Sequence, residues 1–94
     1  MTNHIVKITF YGDAGHGWYR VKLSDAKKLG FLDKVSRYSY VRGASIYLEE
    51  DRDARLLFDA ITTIPGVLWN TKTAKRVCRS PIRSFVRYES HQHT

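Results

Sequence analysis

The sequence predicts an α+β fold: a mainly antiparallel sheet in the order ββαββα plus one or two C-terminal strands, with helices packed on one face. Three observations carry this. Two period-two runs, HIVKITFY and WYRVKL, flank the glycine-bearing loop GDAGHG. One stretch has helical periodicity, with Ala54, Leu57, Phe58 and Ile61 at i, i+3, i+4 and i+7. A composition of 43% hydrophobic and 13% aromatic residues is that of a globular chain.

In the first strand, His4 to Tyr11, the residues Val6, Ile8 and Phe10 alternate onto one face. In the second, residues 18–23, Tyr19, Val21 and Leu23 share one side while Arg20 and Lys22 share the other. The glycine loop makes the pair an antiparallel hairpin. Ser24 supplies an N-cap, Asp25 suits the first turn and Gly30 a C-cap, so SDAKKLG is a short helix, with FLDKV adding a further turn. RYSYVR and ASIYLEE, parted at Gly43, form a second hairpin with Tyr38 and Tyr40 on one face of its first strand and Ile46 and Leu48 on one face of its second. Asp51 is the expected N-cap of the next helix, with Asp53 favouring the positive end of its dipole. Thr62, Thr63, Pro65 and Gly66 stop that helix, because proline cannot continue it and the residue before proline leaves the α region. VLWNTK reads as another strand and RSFVRYE as a last edge strand. In SPIRSFVRY, Ile82 and one of Phe85 or Val86 are expected to be buried.

Ninety-four residues bound the chain to one domain, taken as 1–90, with 91–94 a frayed tail. No apolar run approaches the roughly 20 residues of a membrane helix. The first ten residues lack a signal-peptide pattern, so a cytoplasmic location is expected. The single cysteine, Cys78, excludes an internal disulfide and a Cys-rich zinc site.

The formal charge is +7, and residues 67–94 hold six Lys/Arg (Lys72, Lys75, Arg76, Arg79, Arg83, Arg87) against Glu89. Such a segment favours an anionic partner or is simply solvated. Arg79, Arg83 and Arg87 are four apart and share a face whether helix or strand forms. With Arg76 they are the first candidates for anion contact, since guanidinium binds phosphate and carboxylate bidentately.

The loop Gly12 to Gly17 raises three possibilities: a phosphate cradle, a catalytic loop around His16, or a turn. It leads into a strand, so the helix dipole of phosphate loops is missing, and its spacing fits neither the dinucleotide fingerprint nor a P-loop. A small backbone nest stays open beside the structural turn. Asp13 can orient His16, yet no Ser or Cys stands in a nucleophile context. Cys78 lies between Arg76 and Arg79, which favours its thiolate without making a site. His91 and His93 are two apart on the tail, poor spacing for a metal, and no metal or cofactor is expected. Glu49, Glu50, Asp51 and Asp53 form the one acidic cluster, read as helix capping or as carboxylates for acid–base or Mg²⁺ work. Trp18, Tyr38, Tyr40, Tyr47, Trp69 and Tyr88 accompany Arg20, Arg37, Arg42, Arg83 and Arg87. Those residue types stack bases and hold phosphates, and they also dominate protein interfaces. Small sheets need some of these rings in the core, and the remainder point to a binding surface.

GHGW at 15–18, LG at 29–30, DK at 33–34, YSY at 38–40, YLEED at 47–51 and the Ser-x-Ile-Arg element at 80–83 resemble a group of small proteins encoded by tailed phages and prophages. The resemblance covers most of the chain and implies a setting, accessory genes that disarm host defences by binding, and carries no catalytic residue. The expected function is therefore non-enzymatic: an anti-defence, anti-CRISPR-like inhibitor that binds a host protein or protein–nucleic-acid complex in the host cytoplasm, as monomer or homodimer. A nucleic-acid-binding accessory protein and a protein that sequesters a nucleotide signal are the alternatives. The partner-binding set comprises Arg79, Arg83, Arg87, Arg76, Arg20, Arg37, Trp18, Tyr38, Tyr40 and His16.

Overall fold

The computed structural model describes residues 4–74, 82 and 85–88. It contains β1 (Ile5–Gly12), β2 (Gly17–Lys22), α1 (Leu23–Leu29), a 3₁₀ turn (Leu32–Lys34), β3 (Tyr40–Arg42), β4 (Ser45–Glu49), α2 (Ala54–Thr63), β5 (Leu68–Thr73) and β6 (Val86–Arg87). The strands form one sheet in the order β5-β1-β2-β4-β3-β6. Every pairing is antiparallel except β1 with β5, which run parallel. The α+β class and a largely antiparallel sheet are as the sequence predicts.

Hydrophobic alternation puts Val6 and Ile8 of β1, Val21 of β2, and Ile46 and Leu48 of β4 on one face. Ala26 of α1 and Leu57 and Ile61 of α2 close over that face to complete the main core. Each fully buried Leu or Ile contributes about 1.5–3 kcal/mol, so the stripe of α2 holds the helix down more strongly than its ten-residue propensity does. Phe58 packs edge-on against Tyr19, with centroids 5.0 Å apart. A second cluster lies on the helix-free face, where Trp18, Tyr40, Tyr47 and Ile82 are buried with Tyr11 and Phe85 packed beside them. Ile82 is 2% exposed and Phe85 half-buried, as expected, whereas Val86 is 66% exposed on the edge strand.

Several local expectations are corrected. α1 begins at Leu23, one residue before the expected cap Ser24, and Lys22 takes the N-cap position without a side-chain bond. Gly30 does close α1, in the left-handed conformation at φ 84° that glycine alone adopts cheaply. Asp51 does not cap α2; the cap position falls to Asp53, whose side chain makes no cap bond and turns inward. Tyr38 is not in β3, which begins at Tyr40. It occupies the preceding turn, where Ser39 N–H donates to the Ser36 carbonyl at 3.3 Å.

Among the described residues no helix is long and apolar enough to cross a membrane. The tail 91–94 lies outside the described residues.

Candidate functional site

The glycine loop turns β1 into β2 by a short hydrogen-bonded circuit. Asp13 N–H donates to the His16 carbonyl at 2.9 Å, and the Asp13 carboxylate accepts from Gly15 N–H at 3.0 Å and His16 N–H at 2.9 Å. A phosphate nest needs those amides unengaged, so their engagement by Asp13 argues for the structural turn. Gly17 is there for space, not for positive φ: a Cβ would fall 2.5 Å from Phe10 Cζ and 2.8 Å from Glu50 Cδ. The circuit leaves the His16 side chain exposed at the mouth of a cleft.

That cleft, about 460 Å³, is lined by His16, Trp18, Tyr38, Tyr40, Glu49, Asp51, Arg52 and Arg87. Five of these, His16, Trp18, Tyr38, Tyr40 and Arg87, belong to the partner-binding set expected from the sequence, and they come from three separate segments. Trp18, 2% exposed, forms the floor and meets Tyr40 edge-on, centroids 6.3 Å apart. The His16 ring tilts over Trp18 at 6.0 Å, and its Nδ1 stands 3.7 Å from Glu49 Oε2. Glu49 Oε1 accepts the Asp51 N–H at 2.9 Å, which fixes the chain as it leaves β4.

The buried carboxylate of Asp53 holds the opposite wall. It accepts from Ser36 N–H at 3.1 Å, from Ser36 Oγ at 2.7 Å and from Ser39 Oγ at 2.5 Å. Ser39 Oγ in turn accepts the Glu49 N–H at 3.1 Å. One carboxylate thus ties the Tyr38 turn to β4 and to the start of α2. Asp53, expected only to favour the positive end of the helix dipole, carries this network instead of capping the helix amides, because its short inward side chain finds three donors there.

Two guanidinium groups lie on tyrosine rings at the cleft. The Arg52 carbon Cζ is 4.2 Å from the Tyr38 centroid, and that of Arg87 is 5.1 Å from the Tyr40 centroid. Arg87 also donates to the Arg37 carbonyl at 3.1 Å, so Arg37 contributes backbone while its side chain is exposed. Neither Arg52 nor Arg87 has a carboxylate partner among the described residues.

Strand register exposes a larger pattern next to the cleft. Thr9 pairs with both Arg20 and Lys72, Arg20 with Tyr47, and Tyr40 with both Tyr47 and Arg87. Side chains at paired positions point the same way, so this row lies on the helix-free face. Lys7 is two residues from Thr9, and Lys22 and Arg42 both pair with Ser45, two residues from Tyr47. All six cationic residues of the described strands, Lys7, Arg20, Lys22, Arg42, Lys72 and Arg87, therefore share the face opposite the helices. The one acidic residue of the described strands, Glu49, is on it too, at the cleft end. Two more of these cations have neutral contacts: Arg20 Nε donates to Ser45 Oγ at 3.0 Å, and Arg42 lies 4.9 Å from the Phe85 centroid.

Arg76, Arg79 and Arg83, with Cys78, His91 and His93, lie outside the described residues. Of the aromatic set, Tyr47 and Tyr88 are buried, while Tyr38 and Trp69 are exposed. Trp69 is remote from the cleft, on β5 beside Val6. Glu49 and Asp51, singled out only as members of the acidic cluster, line the cleft, as does Arg52, which the sequence did not single out. Nothing in the spacing of Tyr38 and Arg52, fourteen residues apart, announces that they touch. Among the described residues no group of His, Cys, Asp and Glu could hold a metal ion. No protein family, curated protein or solved structure matches the chain.

Proposed function

We propose that this chain is a non-catalytic binding protein of the phage-accessory type, which inhibits a host defence system or host enzyme by covering an anionic surface of its target. The observation that supports this best is the gathering of all six strand cations on the helix-free face, with Arg52 and Arg87 at its cleft end. Unneutralised cations in one plane raise encounter rates with an anionic partner and set the register of docking. The target is a host protein or protein–nucleic-acid complex in the host cytoplasm. The test is phage plating on a defence-bearing host that expresses the chain. The wild type should restore plating, and Lys7→Glu/Lys22→Glu/Lys72→Glu should abolish the effect. Lys27→Glu/Lys28→Glu on α1 should keep it. Equal activity of both variants, or turnover of phosphoester or acyl substrates by the purified chain, would overturn the proposal.

The row Lys72–Thr9–Arg20–Tyr47–Tyr40–Arg87 favours a second reading, a nucleic-acid-binding accessory protein. It crosses five strand spacings, about 24 Å, with the exposed cations Lys72 and Arg87 at its two ends, which suits phosphates met at both edges of the sheet. Tyr40 and Tyr47 are buried, so phosphate contact and not base stacking would dominate. Six phosphate contacts on duplex DNA would give a slope of log K against log salt near −5. No binding at low salt removes this reading and leaves the first standing.

A further inference from the structure

The cleft has a ligand chemistry of its own at the end of the cation-lined face, and Arg87 is the one of the six strand cations that lines it. Its volume of about 460 Å³ is in the range of sites that enclose a small molecule, roughly 300–1,000 Å³. Three groups at its mouth stand ready for one. Tyr38 is 47% exposed and carries the Arg52 guanidinium on its ring, so the pair presents flat, polarisable surface of the kind on which nucleobases stack. Arg87 has no carboxylate partner among the described residues and offers a phosphate-binding fork. Asp51 is exposed, and no group among the described residues donates to its carboxylate. Glu49, by contrast, is already met by the Asp51 N–H and by His16.

A carboxylate in a site whose arginines have no carboxylate partner among the described residues selects a ligand carrying both signs of polarity. Among nucleobases, guanine places two adjacent donors, N1–H and the exocyclic N2 amine, where a carboxylate accepts both. Adenine presents an unprotonated N1 at the corresponding position, which a carboxylate repels. We propose that the cleft binds a guanine nucleotide, its base on Tyr38 and Arg52, its donor edge at Asp51 and its phosphate at Arg87. The free mononucleotide and the 5′-terminal residue of a strand share this chemistry.

Isothermal titration calorimetry of the full chain with GMP, AMP, inorganic phosphate and a short oligonucleotide bearing a 5′-terminal guanosine phosphate tests the site. GMP should give saturable heat, and AMP should bind at least about tenfold more weakly, the value of a charge-assisted hydrogen bond. Asp51→Asn should bring the two within about twofold. Tyr38→Ala should weaken both by about tenfold, as loss of one stacking partner does. Lys7→Glu/Lys22→Glu/Lys72→Glu should leave GMP binding unchanged, so failure of the face and failure of the cleft are told apart. Tighter binding of the oligonucleotide than of GMP, still lost in Asp51→Asn, supports the site with a strand end as its source. Equal affinity for GMP and AMP, a guanine preference that survives Asp51→Asn, heat from phosphate matching that from GMP, or no saturable GMP heat from a chain whose melting curve shows it folded would each overturn the proposal.

Discussion

Replacing Asp53 with alanine should destabilise the fold and loosen the cleft together, because this one carboxylate holds the Tyr38 turn against β4 and α2. It is buried and accepts from Ser36 N–H, Ser36 Oγ and Ser39 Oγ. Hydrogen bonds to a charged acceptor are worth roughly 1.5–3 kcal/mol each, which for three sets a gross ceiling of about 9 kcal/mol. Most of that offsets the cost of taking the carboxylate out of water, several kcal/mol per ion. What the variant loses net is smaller. The Ser39 hydroxyl, fully buried, is left without its acceptor at about 1–3 kcal/mol, and the Ser36 donors, closer to solvent, turn partly to water. A net loss of about 3 kcal/mol follows, which for a chain of 94 residues lowers Tm by about 12–24 °C. Urea unfolding followed by tryptophan fluorescence gives the free energy, with Trp18 as a buried reporter. Ser39→Ala, alone and combined with Asp53→Ala, completes a cycle whose coupling should reach about 1 kcal/mol. An Asp53→Ala chain within about 0.5 kcal/mol of wild type, or a cycle with no coupling, refutes the assignment of Asp53 as the tie.

Ile82→Ala should cost about 3 kcal/mol, since the side chain fills the cluster of Trp18, Tyr40 and Tyr47. Val86→Ala, four residues on and largely exposed, should stay within about 0.5 kcal/mol of wild type in the same urea titration. Tyr88→Phe should cost about 1–2 kcal/mol, because the buried hydroxyl donates to the Leu32 carbonyl at 2.9 Å. Burial, and secondarily the Asp33 carboxylate, raise the pKa of Tyr88 above its ordinary value of 10.0, so folding favours its neutral form. That contribution is fully present below pH 10 and is lost as pH rises through the raised folded value. Tyr88→Phe should flatten this alkaline decline in melting curves taken from pH 9 upward, and an unchanged decline counts against it.

Alternation along a single strand was enough to separate Val6 and Ile8 from Lys7, and Val21 from Arg20 and Lys22, so the two faces of β1 and β2 were legible before any fold was known. The apolar stripe of α2 was legible for the same reason: helix and strand periods are local properties. Local signals misled at Asp51, expected to cap α2, and at Tyr38, expected in a strand, where capping preference and strand pattern gave way to a tertiary network around Asp53. An inward carboxylate with three donors outcompetes a solvent-exposed cap, and the turn those donors define leaves Tyr38 outside β3. The cationic face was hidden for a different reason. Counting charge along the chain drew attention to residues 67–94, yet the described cations that gather run from Lys7 to Arg87 and come from five strands. Only hydrogen-bond register aligns them. A slip of one residue in the β1–β5 pairing would send Lys72 to the helix side and bring Thr71 or Thr73 to the row in its place. The parallel pairing of β5 with β1 therefore decides how far the cationic row extends, and that pairing depends on contacts more than sixty residues apart, which no local pattern encodes.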